Sequence, residues 1–222
     1  MKALKIFGLI LLCFLVAILE SASAFAAPPD NFTARMVMGN MSMPMAKMGS
    51  KTRVENPMMQ GMVTLSFGDT HKTLIYSTQT QTYTEMMQED KTPSVYDSRA
   101  VIEKKKIGNE KIDGHPCVKY DAVVYLKDKP SEKYNTVLWE AQDLGGLVIR
   151  QEMTLPERQQ PKGGGPAKMT TEFKDIKVGA ASASMFEVPK GYKKVENMME
   201  MMGGPAGQQK QIEEMMKKMK KQ

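Results

Sequence analysis

Methionine is the residue type that gives this chain its chemistry. The sequence has 222 residues and 22 methionines, against 7 phenylalanines and 1 tryptophan. A methionine side chain is flexible and polarizable, so it adapts to irregular apolar ligands. Its thioether is also a soft ligand that suits Cu(I). The largest methionine group lies between residues 36 and 48, and these two properties give it two rival uses.

The spacing predicts that this group shares one face of a hairpin. Phe32–Met38 and Met41–Met48 alternate on either side of Gly39-Asn40. A leading glycine suits a type II′ turn, and a two-residue loop fixes the strand register. The predicted cross-strand pairs are Met38 with Met41, Met36 with Met43, Ala34 with Met45, and Met45 with Val54 through a second turn at Gly49-Ser50.

Three interpretations of this face follow from the residues. A soft monovalent ion, Cu(I) or Ag(I), would use the thioethers of Met36, Met38, Met41 and Met43. A hydrophobic ligand would use the same surface without coordination. The structural alternative is that these side chains are core residues, since a sheet face needs apolar residues in any case. The chain has only two histidines, His71 and His115, so imidazole support for Cu(II) or Zn(II) is slight.

A second group of interest is a His-x-Cys pair. Alternation puts His115 and Cys117 on one face of their strand together with Lys119 and Asp121. That face is polar, so we expect a semi-exposed, chemically available thiol at Cys117. A metal-ligand pair or an activated thiol would need an orienting third group. No Ser-His-Asp order, phosphate loop or histidine-rich motif is present in the sequence. We therefore expect no enzyme and no cofactor.

The elements that position these residues are mostly strands. Asp113-Gly114 is a strong hairpin signal, and Trp139 and the segment Phe186–Tyr192 are expected to pack against the sheet. The sequence predicts a mainly β protein whose domain covers residues 27–195. Beyond the methionine hairpin, alternating patterns predict strands at Met59–Phe67, His71–Ser77, Thr82–Met87, Val101–Ile112, His115–Lys127, Tyr134–Ala141, Leu147–Leu155 and Lys168–Val178.

The first 26 residues have the pattern of a signal peptide. A basic start leads into an apolar run from Ile6 to Leu19, followed by A-x-A cleavage sites at Ala22-Ser23-Ala24 and Ala24-Phe25-Ala26. The run is short for a transmembrane helix. We expect cleavage and export to a bacterial periplasm. Cys117 is then the one remaining cysteine, which leaves no internal disulfide.

Charge excludes one class of partner and suggests another. The formal net charge is +6, and no concentrated basic stripe with aromatics is present, so we expect no nucleic-acid binding. Residues 196–222 form a methionine- and lysine-rich tail. Within it, Gln208–Gln222 has helical spacing, with an apolar stripe of Ile212, Met215, Met216 and Met219. An amphipathic helix and a frayed terminus remain alternatives for this segment, and we expect it to make weak contact with a membrane surface.

Several segments together resemble a known group of proteins. They are Lys106–Tyr120, Thr136–Leu147, Phe173–Val178 and the closing Phe186–Tyr192. Over about residues 32–195, the chain resembles an uncharacterised branch of exported bacterial proteins related to the lipoprotein-sorting (LolA-like) carriers. The resemblance implies an antiparallel half-barrel sheet with short helices and an apolar concave face that holds acyl chains. It also implies a basic residue at the cavity mouth, for which Arg53 is the candidate.

These observations predict a non-catalytic periplasmic protein that binds a hydrophobic or amphiphilic ligand. The predicted ligand-binding residues are Met36, Met38, Met41, Met43, Met45, Val54 and Arg53. One alternative is a periplasmic Cu(I)- or Ag(I)-binding protein, and the other is an envelope interaction module.

Overall fold

A single twelve-stranded sheet dominates the fold. The computed structural model describes residues 27–59, 61–87, 95–96, 99–154 and 168–202. The strands are β1 Asn31–Met38, β2 Met41–Met48, β3 Lys51–Asn56, β4 Met62–Phe67, β5 Lys72–Ser77, β6 Thr82–Met87, β7 Ala100–Ile112, β8 His115–Leu126, β9 Lys129–Ala141, β10 Leu147–Thr154, β11 Lys168–Val178 and β12 Lys193–Lys194. Two 3₁₀ turns, Gln142–Leu144 and Ala183–Phe186, and one short helix, α1 Met198–Met201, complete the described elements.

The sheet is open, with β12 at one edge and β7 at the other. Its order is β12-β6-β5-β4-β3-β2-β1-β11-β10-β9-β8-β7. Every neighbouring pair is antiparallel except β12 with β6. The predicted fold class, a mainly β protein with an antiparallel half-barrel sheet, is confirmed. The predicted C-terminal amphipathic helix over residues 208–222 lies outside the described residues, as does the signal peptide.

Tight turns set the register, and the predicted methionine pairing is confirmed. Gly39 has φ of +57° and Gly49 has φ of +58°, a backbone conformation that glycine adopts without a steric penalty. The structure pairs Met38 with Met41, Met36 with Met43, Ala34 with Met45, and Met45 with Val54.

Two ladders of opposed residues define the two faces of the sheet from β2 to β6. One ladder runs through Met45, Val54, Thr64, Ile75 and Thr84. Since directly opposed residues point to the same side, these five share a face with the hairpin methionines. We call the side that carries Met36, Met38, Met41, Met43, Met45 and Val54 the methionine face.

The second ladder occupies the opposite face. It runs through Ala46, Arg53, Leu65, Leu74 and Glu85. Arg53 is adjacent to Val54 in the strand and therefore points away from it. The structure thus separates Arg53 from the methionine face, contrary to the grouping expected from the sequence.

After β11, the chain wraps around the sheet, and we call residues 181–202 the C-terminal wrap. Its first part crosses the opposite face, where Phe186 packs with Ala46 and Tyr192 packs with the cluster around Leu65. The expected packing of Phe186–Tyr192 on the sheet is confirmed. The wrap then pairs with the edge of β6, where the Val195 amide donates to the Tyr83 carbonyl at 2.8 Å.

The wrap ends on the methionine face. Met201 of α1 is fully buried and packs with Met62 and Ile75. The Thr84 hydroxyl donates to the Glu196 carbonyl at 3.3 Å, and the Thr80 hydroxyl donates to the Met201 carbonyl at 3.1 Å. Residues 196–202, which the sequence placed in a separate tail, are therefore packed on the sheet. In the described part of the chain, no helix is long and apolar enough to cross a membrane.

Candidate functional site

The methionine face joins the largest buried cluster of the molecule's described part. That cluster contains Phe32, Met45, Ile112, Cys117, Trp139, Ala141, Leu147, Ile149 and Phe173, with Ala34, Met36, Val54, Val137, Leu144 and Ile176 packed against it. It draws residues from β1, β2 and β3 at the centre of the sheet and from strands on the other side of β11. The methionines therefore extend a continuous apolar surface instead of forming an isolated patch.

Exposure along the methionine face increases toward the hairpin turn. Met45 and Met43 are buried, at 7% and 9% exposed. Met36 and Met38 are half-buried, and Met41 is 39% exposed. The predicted site residues thus fall into two parts: an inner part that belongs to the core, and an outer part around the Met38–Met41 pair that is partly exposed to solvent.

Two structural features border this face. Phe173, which lies opposite Met36 across β1 and β11, is covered by the ring of Tyr96 at a centroid distance of 5.7 Å. The Tyr96 hydroxyl donates to the Val148 carbonyl, which holds the ring in this position. On the other side, α1 covers Ile75. The open methionines lie between these borders.

Arg53 forms a separate polar centre beneath the C-terminal wrap. Its guanidinium donates to the Tyr76 hydroxyl at 2.5 Å and to the Met185 carbonyl at 3.1 Å, and it pairs with Glu55 at 2.8 Å. The Tyr76 ring in turn meets Tyr192 edge-on, with centroids 5.7 Å apart. Arg53 therefore holds the wrap against the opposite face of the sheet.

A groove that the sequence did not predict lies beside this centre. It has a volume of about 420 Å³ and runs between the wrap and strands β5 and β6. Leu74, Tyr83 and Tyr192 are among its apolar lining residues. At its charged end, Glu85 pairs with Lys72 at 2.8 Å and with Lys194 at 3.3 Å, and hydrogen bonds from these two lysines lower the pKa of Glu85. The signal for this groove in the sequence was the Phe186–Tyr192 segment, which forms one wall.

Cys117 is buried, so the predicted semi-exposed thiol is wrong. It is 3% exposed and belongs to the large cluster that includes Trp139, whose predicted core position is confirmed. Burial raises the pKa of the thiol. The Cys117 thiol donates to the carbonyl of His115 at 3.4 Å, while the His115 ring contacts Asp143 at 2.8 Å. The imidazole is thus engaged with a carboxylate and does not activate the thiol.

In β8, alternation places His115, Cys117 and Lys119 on one face as predicted. That face is not the exposed polar surface that its sequence indicates. Lys119, on the same side as Cys117, lies over the Trp139 ring at 4.8 Å, and Arg150 lies over it at 4.8 Å as well. Both distances run from the cationic group, the Lys119 Nζ and the Arg150 Cζ, to the ring centroid, so these are cation–π contacts over a buried indole. The indole Nε1 donates to Glu110 at 2.7 Å. The charged residues of this face therefore made the buried layer around Trp139 look solvent-exposed in the sequence.

Side chains that bind hard and borderline metal ions do not cluster in the described part of the chain. The described residues contain no group of three or more His, Cys, Asp or Glu side chains placed to hold a metal ion. Thioethers are a different ligand class, and the face-to-face pairs Met36–Met43 and Met38–Met41 are where they concentrate.

Comparisons with known proteins identify similar structures only. No protein-family model matches the chain, and no curated protein matches it. Solved structures similar to the chain include an uncharacterised conserved protein of Thermus thermophilus, with 13% identity, a TM-score of 0.47, and coverage of 76% of this chain and 91% of that one. Another is the lipoprotein LppX of Mycobacterium tuberculosis, with 12% identity, a TM-score of 0.39, and coverage of 65% and 85%.

A further similar structure is a LolA superfamily protein of Nitrosomonas europaea. It shares 12% identity, has a TM-score of 0.31, and the alignment covers 74% of this chain and 91% of that one. Its description names the superfamily that the sequence resembles.

Proposed function

We propose that this chain is a non-catalytic protein of the bacterial envelope that binds a hydrophobic or amphiphilic ligand, such as an acyl chain, on its methionine face. The observation that carries the proposal is the gradient of exposure from buried Met45 to open Met41 along one continuous apolar surface. Methionine side chains can follow an irregular acyl chain because they are unbranched and change rotamer easily. A ligand would add to an apolar surface that is already formed.

The proposal assigns no catalytic role to Cys117, His115 or Asp143, the residues that come nearest to a catalytic arrangement. Cys117 is the one cysteine among the described residues, and it is buried with a raised thiol pKa. A nucleophilic thiol needs the opposite, a lowered pKa and access to a substrate. The His115 ring contacts the Asp143 carboxylate at 2.8 Å and is not the hydrogen-bond partner of the thiol, which donates to the His115 carbonyl. Arg53 is left out of the proposed site because its hydrogen bonds attach it to the C-terminal wrap.

The test uses two matched pairs of neighbouring residues on the same hairpin. Met38 and Met41 are opposed on the methionine face, whereas Val37 and Ser42 are opposed on the other side of the same two strands. Replacing the first pair with glutamine (Met38→Gln with Met41→Gln) should weaken binding of a fluorescent fatty acid roughly tenfold or more. The reason is the loss of apolar contact, since about 1.4 kcal/mol of binding free energy corresponds to a factor of ten in Kd. The control pair, Val37→Gln with Ser42→Gln, should bind it as the parent does. Equal binding by both variants would rule out the methionine face.

A second variant separates lipid binding from Cu(I) binding. Leucine at Met36, Met38, Met41 and Met43 keeps nearly the same apolar volume, which usually costs little stability, and it removes the four thioethers that the Cu(I) alternative uses. We expect the leucine variant to bind the fatty acid like the parent and to bind no Cu(I). Loss of the fatty acid together with tight Cu(I) binding by the parent would favour the metal-binding alternative.

A further inference from the structure

A row of opposed residues carries the methionine face across three further strands. Met38 on β1 lies opposite Thr171 on β11. Thr171 in turn lies opposite Gln151 on β10, and Gln151 lies opposite Leu138 on β9. Directly opposed residues point to the same side of a sheet. The row from Met38 to Leu138 therefore shares the side of Met41, and none of its side chains is charged.

Two methionines that are distant in the sequence lie beside this row. Met153 is two residues after Gln151 on β10 and so points to the same side of the sheet. It lies opposite Met169 of β11. Met153 is buried, whereas Met169 is 36% exposed. The apolar surface around Met38 thus continues over β11 to β10, along pairings between residues that are far apart in the chain.

Gln151 is the polar exception in the middle of this apolar surface. Its Nε2 is buried, and no acceptor among the described residues hydrogen-bonds to it. The neighbouring Arg150 also has a buried Nε without a hydrogen bond, but that nitrogen lies 3.8 Å from the Glu172 carboxylate. A buried donor without an acceptor is destabilising, and such groups are rare in folded proteins. A ligand atom that accepts this hydrogen bond would remove the cost.

We propose that Gln151 determines ligand specificity by donating a hydrogen bond to the carbonyl oxygen of an acyl ester whose hydrocarbon chain lies across Met38 and Met41. This inference rests on the proposed function and names the class of its ligand. Gln151 is two strand spacings from Met38 and three from Met41, or about 10 and 14 Å at roughly 4.8 Å each. The hydrocarbon therefore runs across the strands, with its polar end at β10.

The chemistry of the row favours an uncharged oxygen over a carboxylate. A carboxylate that leaves water for an apolar surface needs a cationic partner or several donors to compensate for its lost hydration. The row contains one amide and one hydroxyl but no cationic side chain. Arg150, next to Gln151 in β10, points to the other side of the sheet. An ester carbonyl keeps the acceptor and carries no charge.

The amide of Gln151 can reach such an oxygen without moving the strand. The side chain as a whole is half-buried, so part of it lies at the surface. The terminal torsion of a glutamine has a broad distribution of angles, and rotation about it turns Nε2 toward the surface. The hydrogen bond to a ligand therefore needs a change of one side-chain angle.

Two fluorescent probes and one isosteric variant test the role of Gln151. The methyl ester of the fluorescent fatty acid has the carbonyl acceptor, whereas diphenylhexatriene is a hydrocarbon without one. Gln151→Met keeps the length of the side chain and removes the donor. It should bind the ester roughly threefold to tenfold more weakly than the parent, the usual size of one neutral hydrogen bond. It should bind the hydrocarbon as tightly as the parent or more tightly. The control, Thr170→Val, is an isosteric change on the other side of β11 and should bind both probes like the parent.

The stability of the ligand-free protein gives an independent measurement. Because the buried donor lacks an acceptor, Gln151→Met should unfold at the same urea concentration as the parent or at a higher one. Unfolding of Gln151→Met at a clearly lower urea concentration would mean that the amide is already hydrogen-bonded, for example by an ordered water, and would overturn the proposal.

The binding results distinguish this inference from the proposed function. If Met38→Gln with Met41→Gln weakens binding of both probes but Gln151→Met weakens neither, or weakens both equally, the methionine face stands and the role of Gln151 is overturned. If Gln151→Met costs the free fatty acid more affinity than its ester, the ligand is a carboxylate and the ester class is wrong. If neither probe binds to the parent, the proposed function fails and this inference fails with it.

Discussion

At the residue scale, Cys117 shows how a polar pattern can mark a buried layer. Its sequence neighbours on the same face, His115 and Lys119, indicate a solvated surface. In the structure, the cationic groups of Lys119 and Arg150 lie over the indole of Trp139, and the thiol packs in the same buried cluster as that indole. Sequence alternation states which residues share a face. It does not state whether the long charged side chains of that face lie over an aromatic ring.

Burial of Cys117 predicts slow thiol chemistry. At pH 7, we expect native protein to react with a maleimide roughly a hundredfold or more slowly than a cysteine peptide, since each 1.4 kcal/mol needed for opening is a factor of ten. Denaturant should restore the peptide rate, which alkylation followed by mass spectrometry measures. A native rate equal to that of the peptide would contradict the buried position.

The same thiol predicts a pH dependence of stability. Burial holds its folded-state pKa above the ordinary value of 9.0. The folded state therefore keeps the proton longer than the unfolded state, and the associated stability is present below pH 9 and is lost as pH rises further. Urea unfolding of the parent and of Cys117→Ala from pH 7 to 10 should show a steeper loss for the parent. Identical slopes would contradict the raised pKa.

At the element scale, two-residue turns made the methionine hairpin predictable in register. Gly39 at the first turn position allows one pairing of β1 with β2, and every predicted methionine pair follows from it. The Asp113-Gly114 hairpin formed as expected, with positive φ at both residues. The C-terminal wrap could not be predicted in the same way. Its course depends on contacts between residues far apart in the sequence, such as Phe186 with Ala46.

Glycine substitutions test this account of the turns. Gly61 and Gly114 both have positive φ, at +78° and +89°. A Cβ at Gly61 would lie 2.4 Å from the Thr78 Oγ1, whereas one at Gly114 would meet nothing within 4 Å. Gly114→Ala should cost about 1–2 kcal/mol, the usual penalty for a left-handed alanine. Gly61→Ala should cost clearly more, because the clash adds to that penalty. Urea denaturation of both variants measures the difference, and equal costs would contradict it.

At the scale of the whole molecule, the two faces of the sheet are covered to different extents. The first part of the C-terminal wrap covers the opposite face, and Arg53 and Tyr76 secure it there. The methionine face receives α1 at one side and Tyr96 at the other. The sequence marked the methionine face through its composition and alternation. It predicted the domain boundary at residue 195 because a short methionine-rich stretch follows it and precedes the glycine-rich residues 203–207, although Met201 of that stretch is among the most deeply buried side chains.

Two truncations test where the folded body ends. A chain that stops after Val195 loses Met201, which is 0% exposed, and the two hydroxyl contacts of Thr80 and Thr84. Removing a buried methionine side chain costs about 2–5 kcal/mol, and loss of the contacts with Met62 and Ile75 exposes part of the methionine face. We therefore expect urea unfolding to show this loss for the chain that stops after Val195. A chain that stops after Met202 keeps all of these contacts and should unfold like the parent. If the two shortened chains have equal stability, α1 does not contribute to the folded body.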